Sequence, residues 1–392
     1  MRVLYHHRTL KTDAQGIHVD RLIAALRRRG NEVVEFSLVG GRSGGAAERR
    51  GAWAAVLKIA KSGPFREVME IAYNAFLYPR LRRRVADVRP DLLYERHGLH
   101  LHAGGWAARR AGVPFVIEVN APLASERLVT EGLAFRRLAE ASERRALLRA
   151  DRVVAVTSAL KEILVAEGVD ARKIVVMPNG ADLREFDAAS EEDVAAFRAE
   201  HALQGAVVGF VGFVRPWHGV DMLFKALDSP ELLEEAPFTA VVVGDGPAIE
   251  ALRVRAAKGA LAGRVRFTGA IAPERIPAAI KALDVAAQPA ATPYACPIKL
   301  VEYMAAGRAI VAPDQDNVVE VLGREAGLLF RPMDALDLRS AIRRLLLEPE
   351  RRASLGRAAR RRVEELDLTW DGNARRVEDL ARSIRLEPEA AP

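Results

Sequence analysis

Lys299 and Glu302 lie one helical turn apart in the segment TPYACPIKLVEYMAAGRAIVA (292–312), the stretch of this chain richest in chemical meaning. It reads as a Pro-rich loop, a helix, a turn at Gly307 and a short apolar strand. A helix start offers unpaired N–H groups and the positive end of the peptide dipoles, a seat for phosphate. Tyr294, Cys296, Pro297, Ile298 and Leu300 line that start, with Lys299 suited to a pyrophosphate and Glu302 to ribose hydroxyls. The pattern describes a nucleotide-sugar site.

A second constellation is GFVRPWHGVDML (212–223), where Arg215, Trp217, His218 and Gly219 link a strand end to a helix start. An arginine there can neutralise a diphosphate; the competing reading is an exposed arginine beside a core tryptophan. VVVGDGPAIEAL (241–252) begins like a dinucleotide fingerprint at Gly244, but Ile249 stands where the third glycine belongs, so a tight turn with close packing fits better. In TLKTDAQGIHVDRL (9–22), Gly16 and His18 open a helix after the first strand, either facing a ligand or forming a plain strand-to-helix turn. His97, His100 and His102 have neither the helical nor the loop spacing of a zinc site, and no metal is expected. His97, directly after a strand, is a candidate cleft residue. Asp314-Gln315-Asp316 reads as a loop, and no nucleophile elbow or Ser/His/Asp set occurs.

These residues need a frame to hold them. Twelve short apolar runs alternate with amphipathic helical patterns: 3–7, 32–38, 91–95, 114–119, 152–156 and 173–177, then 207–213, 239–244, 264–269, 284–288, 309–312 and 327–330. Continuous apolar runs between helices indicate buried parallel strands. The series runs twice, which predicts two doubly wound, Rossmann-like α/β domains. The expected division is 1–182, completed by 371–392, and 205–370, with the boundary in the polar stretch 182–205. Ligands of such sheets sit at the carboxyl ends of the strands, and a cleft between the domains is the expected place.

Composition bounds the function classes. The 392 residues are 50% hydrophobic and 28% charged, with a net charge of +7. That surplus suits acidic ligands or an anionic membrane face, while no nucleic-acid motif organises it. A single cysteine fits a reducing compartment. The N-terminus shows no signal-peptide run and no stretch is apolar enough to span a bilayer, so the cytoplasm is the expected location.

The residues PIKLVEYMAAGRAIVAPDQDNVVEVL (297–322), with GFVRPWHGVD, VVVGDGP, EVNAPLASER (118–127), VMPNGAD (176–182) and TWDGNA (369–374), resemble glycosyltransferase family 4. The resemblance covers nearly the whole chain. It implies the GT-B fold, with an acceptor domain followed by a donor domain and a final helix crossing back near Trp370. It implies a retaining sugar transferase that needs no metal or other cofactor and takes a UDP- or GDP-sugar, the base being open. Glu302 matches the second glutamate of the family's pair, the one that holds the ribose, while Tyr294 stands at the first. Arg215 and position 218 match the arginine and lysine that clamp the diphosphate, with His218 replacing the lysine. Lys299 is expected to supply the missing charge. Asn120 occupies the place of a histidine near the reacting sugar, and Glu126 is a candidate acceptor contact. As the diphosphate leaves, the sugar becomes oxocarbenium-like and a hydroxyl attacks from the same face.

The acceptor is expected to be a saccharide or a lipid-linked group, in cell-surface polysaccharide or glycolipid synthesis. The stretch 49–84 places Trp53, Val56, Leu57 and Ala60 on one stripe, with arginines at its end. It reads as peripheral membrane docking or as a pair of helices covering the sheet. Two other functions remain open: a sugar-nucleotide epimerase or hydrolase of the same fold, and an inactive sugar-nucleotide-binding partner.

Overall fold

The twelve apolar runs form twelve parallel strands in two sheets. The structure, a computed structural model, describes residues 1–9, 14–39 and 63–386. The chain divides into two compact units, Met1–Pro178 with Asp371–Pro392, and Asn179–Trp370.

The first unit orders its strands β2-β1-β3-β4-β5-β6: β1 (Arg2–His6), β2 (Glu32–Phe36), β3 (Leu92–Arg96), β4 (Phe115–Val119), β5 (Arg152–Ala155) and β6 (Ile174–Val176). Helix Ala14–Arg28 buries Val19, Leu22, Ile23 and Leu26, while Ile17 is half exposed. Leu4, Leu93, Val116 and Val154 are fully buried. Such burial, at about 25 cal/mol per Å² of apolar surface, is what favours the sheet core over water. The C-terminal helix Trp370–Leu386 docks by ion pairs, Arg29 to Glu378 at 2.9 Å and Arg385 to Asp91 at 2.6 Å, with Val377 and Ala381 buried beneath. The expected return to the first unit is therefore observed.

The second unit has the order β12-β11-β10-β7-β8-β9: β7 (Ala206–Val211), β8 (Phe238–Val243), β9 (Val265–Gly269), β10 (Val285–Ala287), β11 (Ala309–Pro313) and β12 (Leu328–Phe330). Val208, Phe210, Phe224, Val242, Val311 and Ile342 belong to one buried core.

The division of the chain falls at Pro178/Asn179, ahead of the polar stretch 182–205. That stretch folds as helices Leu183–Ala188 and Glu191–Glu200 inside the second unit. Phe197 is buried, and Arg198 reaches Asp284 at 2.6 Å. Phe186 is buried as well, and Arg275 pairs with Glu200 and Arg360 with Asp187, so buried aromatics and ion pairs dock an otherwise acidic, strand-free segment.

Among the described residues no helix is long and apolar enough to cross a membrane. Residues 49–62 of the membrane-docking stretch, Trp53, Val56, Leu57 and Ala60 included, lie outside the described residues.

Candidate functional site

In the second unit the chain leaves β7 toward β8 on one side, and β10 lies on the other. The loops after β7 and β10 diverge there, which opens a crevice at the strands' carboxyl ends. Both motifs singled out from sequence sit at that point. The loop after β7 lies against the loop after β8: Val214 N–H donates to the Asp245 carbonyl at 2.7 Å, and Gly212 N–H to that of Val243 at 2.9 Å. Gly244, at φ 120°, has no room for a side chain, because a Cβ would overlap the Gly212 carbonyl. Its own N–H donates to Gly269 at 3.0 Å. Gly244 thus permits backbone-to-backbone contact between the two loops, the tight and closely packed turn read from its sequence.

Lys299 lies in the first turn of helix Ile298–Ala305, which starts beside this crevice. Its Nζ stands 4.4 Å from the centroid of the Phe210 ring, and its stem passes the open face of Gly212. Among the described residues the ammonium has neither a hydrogen-bond acceptor nor an ion-pair partner. Burial pulls its pKa down to about 8, with Glu302 opposing. The Ile298 and Lys299 amides are likewise unclaimed by described residues, whereas Leu300 N–H donates to Pro297 at 3.1 Å and its side chain is fully buried. Leu300, expected at the ligand, is a core residue. A cation and two open amides at one helix start can hold an oxyanion.

Arg215 lies between aromatic faces, 5.0 Å from the Phe213 centroid and 5.1 Å from that of Trp217, and both rings are substantially exposed. His218 turns inward. Its Nδ1 accepts from the Arg215 amide at 3.3 Å. Burial, Lys299 and Arg215 together press its pKa down to about 3, against a hydrogen bond to the Phe213 backbone. His218 is thus a neutral staple of the 215–219 turn, not the second cation of a phosphate clamp.

Three buried side-chain amides, unnoticed in the sequence, string up the loop after β10. Asn317 Nδ2 donates to the Thr292 and Ala295 carbonyls at 3.0 and 2.7 Å. Asn179 Nδ2 donates to the Cys296 carbonyl at 2.6 Å, and Gln288 Nε2 to that of Ala290 at 2.5 Å. Asn179 belongs to the quoted VMPNGAD motif, which was the available signal. Cys296 is packed rather than reactive: Sγ accepts from the Asn179 amide at 3.3 Å, and burial pushes the thiol up to about 12. Tyr294 lies in the same loop and is partly buried. Asp314 pairs with Arg324 at 2.9 Å, as a surface loop would.

The first unit reverses between β1 and β3, and a buried carboxylate organises the strand ends there. Glu118 accepts from Asn120 Nδ2 at 2.6 Å, from Tyr94 Oη at 2.7 Å and from Arg96 at 3.0 Å, with His18 Nε2 at 3.4 Å. Burial alone would raise this carboxyl, but His18, Arg96, Asn120 and Tyr94 outweigh it and hold it below the usual range. His18 Nδ1 lies 3.2 Å from Arg96, so both ring nitrogens are engaged. Gly16 is buried in the first turn of the same helix. His18 and Asn120 are thereby brought together, around a glutamate and an arginine that sequence reading passed over. Glu126 is partly buried on helix Leu123–Thr130.

The three histidines after β3 go to separate partners. His97 Nε2 meets Glu143 at 2.9 Å, and Glu143 in turn caps the Leu123 and Ala124 amides. His97, a candidate for ligand contact, is committed to that buried pair. His102 bonds Ser142 at 2.9 Å, and His100 is buried elsewhere. Among the described residues no cluster of three metal-ligating side chains occurs.

Comparison with known proteins agrees with this layout. The Glycosyltransferase Family 4 model matches residues 15–185, and the Glycosyl transferases group 1 model matches 205–348. The 2-deoxystreptamine glucosyltransferase of Streptomyces kanamyceticus is 31% identical over 64% of this chain and 65% of its own length. The D-inositol 3-phosphate glycosyltransferase of Rhodococcus jostii is 30% identical over 95% of this chain and 85% of its own. The structure of HepE from Anabaena in complex with UDP superposes with a TM-score of 0.76 at 19% identity, covering 98% of this chain and all of that one. The fold is the GT-B type, two six-stranded doubly wound units with the last helix on the first. A relative matching almost end to end, with both family models in chain order, makes this protein a member of glycosyltransferase family 4.

Proposed function

We propose that the protein transfers a sugar from a nucleoside-diphosphate sugar to a hydroxyl acceptor, with retention and without a resident metal or other cofactor. The observation that carries this reading is Lys299: a desolvated cation without a counter-ion among the described residues, at an open helix start, where the sheet order reverses. In this reading Lys299, Arg215 and the Ile298 and Lys299 amides take up the charge that develops on the departing diphosphate. Glu302 holds the ribose hydroxyls. The UDP and UDP-glucose present in the HepE structures support a nucleotide-sugar donor of that kind.

The second unit is the donor side and the first unit the acceptor side. Asn120, oriented by Glu118, offers its oxygen to a hydroxyl. The names of the two relatives support a ring polyol or saccharide acceptor, and synthesis of a cell-surface glycan or glycolipid is the proposed setting. A cytoplasmic protein that touches the membrane through 49–84 suits that setting. Phe65, Val68 and Ile71 are exposed at the described end of that stretch.

The deciding experiment is transfer from a panel of sugar nucleotides by wild type and Lys299→Ala. Loss of about a hundredfold or more in kcat/KM is expected in the variant. Near-wild-type transfer by Lys299→Ala would remove this assignment.

A further inference from the structure

In the second unit β7 lies between β8 and β10, yet its two neighbours accompany it unequally. β8 stays beside it throughout, from Phe238 at Ala206 to Val243 at Val211. β10 pairs at Val285 with Val208 and at Ala286 with Gly209, and no further among the described residues. Asp284 N–H donates to the Val207 carbonyl at 2.8 Å, which fixes the side that β10 takes. Backbone groups alternate in direction along a strand, so Val207, Gly209 and Val211 all address that side. Carried on in register, the ladder would set Gln288 opposite Val211. Gln288 N–H turns instead to Val311 of β11 at 2.9 Å, and the sheet splits there.

Tyr303 fills the vacated place. It lies on helix Ile298–Ala305, one turn after Lys299 and on the same face. Val211 N–H donates to Tyr303 Oη at 2.8 Å, and the hydroxyl's own hydrogen has the Val211 carbonyl at 3.5 Å. Tyr303 is fully buried, so solvent cannot replace that bond if it is lost. Lys299 meets the residues on either side of Val211, its Nζ over the Phe210 ring and its Cε beside Gly212. One helix face thus covers the free end of β7 where a strand would otherwise lie.

The consequence is geometric. A diphosphate carries two charged groups at a fixed separation, and the donor site offers them two elements, the helix start with Lys299 and the 212–219 loop with Arg215. Both can be met at once only if the spacing of those elements is fixed. We propose that Tyr303 is a positioning residue of the donor site: its hydroxyl stands in for the missing strand partner, sets that spacing, and so selects a diphosphate over a monophosphate. This role rests on the donor reading given above.

Calorimetric titration with UDP and GDP, each beside its monophosphate, tests it on wild type, Tyr303→Phe and Thr239→Val. Tyr303→Phe keeps the ring and deletes the bond. Thr239→Val is the structural control, because it deletes a hydroxyl that accepts from the Gln204 amide at 3.3 Å and donates to the Gln204 carbonyl at 2.8 Å, near the amino end of β8. Both variants should melt below wild type. The brace predicts that only Tyr303→Phe binds the diphosphate about tenfold more weakly, with monophosphate binding unchanged in all three proteins. Amide exchange at Val211 should quicken in that variant alone. Equal diphosphate binding by Tyr303→Phe and wild type, or parallel losses for diphosphate and monophosphate, overturns the brace and leaves the donor reading standing. Rapid exchange at Val211 in wild type does the same. Failure of wild type to bind either diphosphate removes the donor reading, and the brace with it.

Discussion

Asn120 donates its side-chain N–H to the buried Glu118 carboxylate across 2.6 Å, so its amide oxygen faces the other way. An ionised carboxylate only accepts, which fixes the orientation of the amide without recourse to any ligand. Glu118→Gln should lose about 3–5 kcal/mol, because it strands the buried Arg96 guanidinium. Asn120→Asp sets two carboxylates together, so one must hold a proton and its pKa rises. The defect in that variant is greatest above the raised pKa and shrinks as the pH falls. Urea midpoints at pH 8 and pH 5 check both expectations; equal losses at the two pH values in Asn120→Asp would refute the second.

Lys299 is charged below about pH 8 in the free protein. If it clamps the donor diphosphate, kcat/KM for the donor should fall as the pH rises through that value. Lys299→Arg should keep its charge and lose the alkaline limb, at some cost in rate because the planar guanidinium fits differently. A pH profile of initial rates distinguishes the two proteins.

His218 and His102 are held neutral in the folded protein, with pKa values near 3 and near 4, mainly by burial. Once the pH drops below the ordinary histidine value the unfolded chain takes up protons that the native rings refuse, and stability falls with pH. Glu167 works against this trend, because burial and then Glu143 lift its pKa to about 7. Replacing His218 by Gln should flatten the decline between pH 6.5 and 4.5. Thermal unfolding across that window is the measurement.

Cys296 should resist thiol reagents in the native state and react rapidly once unfolded, since burial lifts its pKa to about 12. Quantitative labelling of the folded protein within minutes would contradict its packed position. Cys296→Ala should cost about 1 kcal/mol, with the Asn179 amide losing an acceptor.

Gly212→Ala tests the seat of the lysine. At φ 141° an added Cβ would come 3.0 Å from Lys299 Cε. A loss of about 1–2 kcal/mol is expected from the backbone alone, together with weaker donor binding as the lysine shifts. Gly244→Ala should be far worse, because there the obstacle is the fixed Gly212 carbonyl. Denaturant melts rank the two.

All twelve strands were legible because buried parallel strands write continuous apolar runs, and no neighbour is needed to read them. The two loops at the crevice of the second unit were legible as local motifs for a related reason: 212–223 and 292–312 each carry their polar residues within one segment. Partnerships across the chain were not. Nothing in the vicinity of Glu118 in sequence announces Arg96 or Tyr94, and Asn317 gives no sign of reaching back to Thr292. Gly244 illustrates a subtler limit. The sequence marked a close approach there, but only the fold reveals that the approaching group is the Gly212 backbone. The acidic 182–205 stretch misled for a similar reason, since its docking rests on Phe186, Phe197 and ion pairs with residues as distant as Asp284 and Arg360.

The last helix closes the first unit, yet it is made only after the whole of the second. Residues 179–370, all of the second unit, intervene between Pro178 and the segment that completes its neighbour. At ribosomal speeds of about 5–20 residues per second, those roughly 190 residues take on the order of 10–40 seconds to synthesise. For that interval the nascent first unit must keep uncovered the surface that Val377 and Ala381 later bury. A newborn chain thus carries an unfinished hydrophobic seam throughout the synthesis of the second unit, and its yield in the cell should depend on chaperones that bind such seams until the last helix arrives.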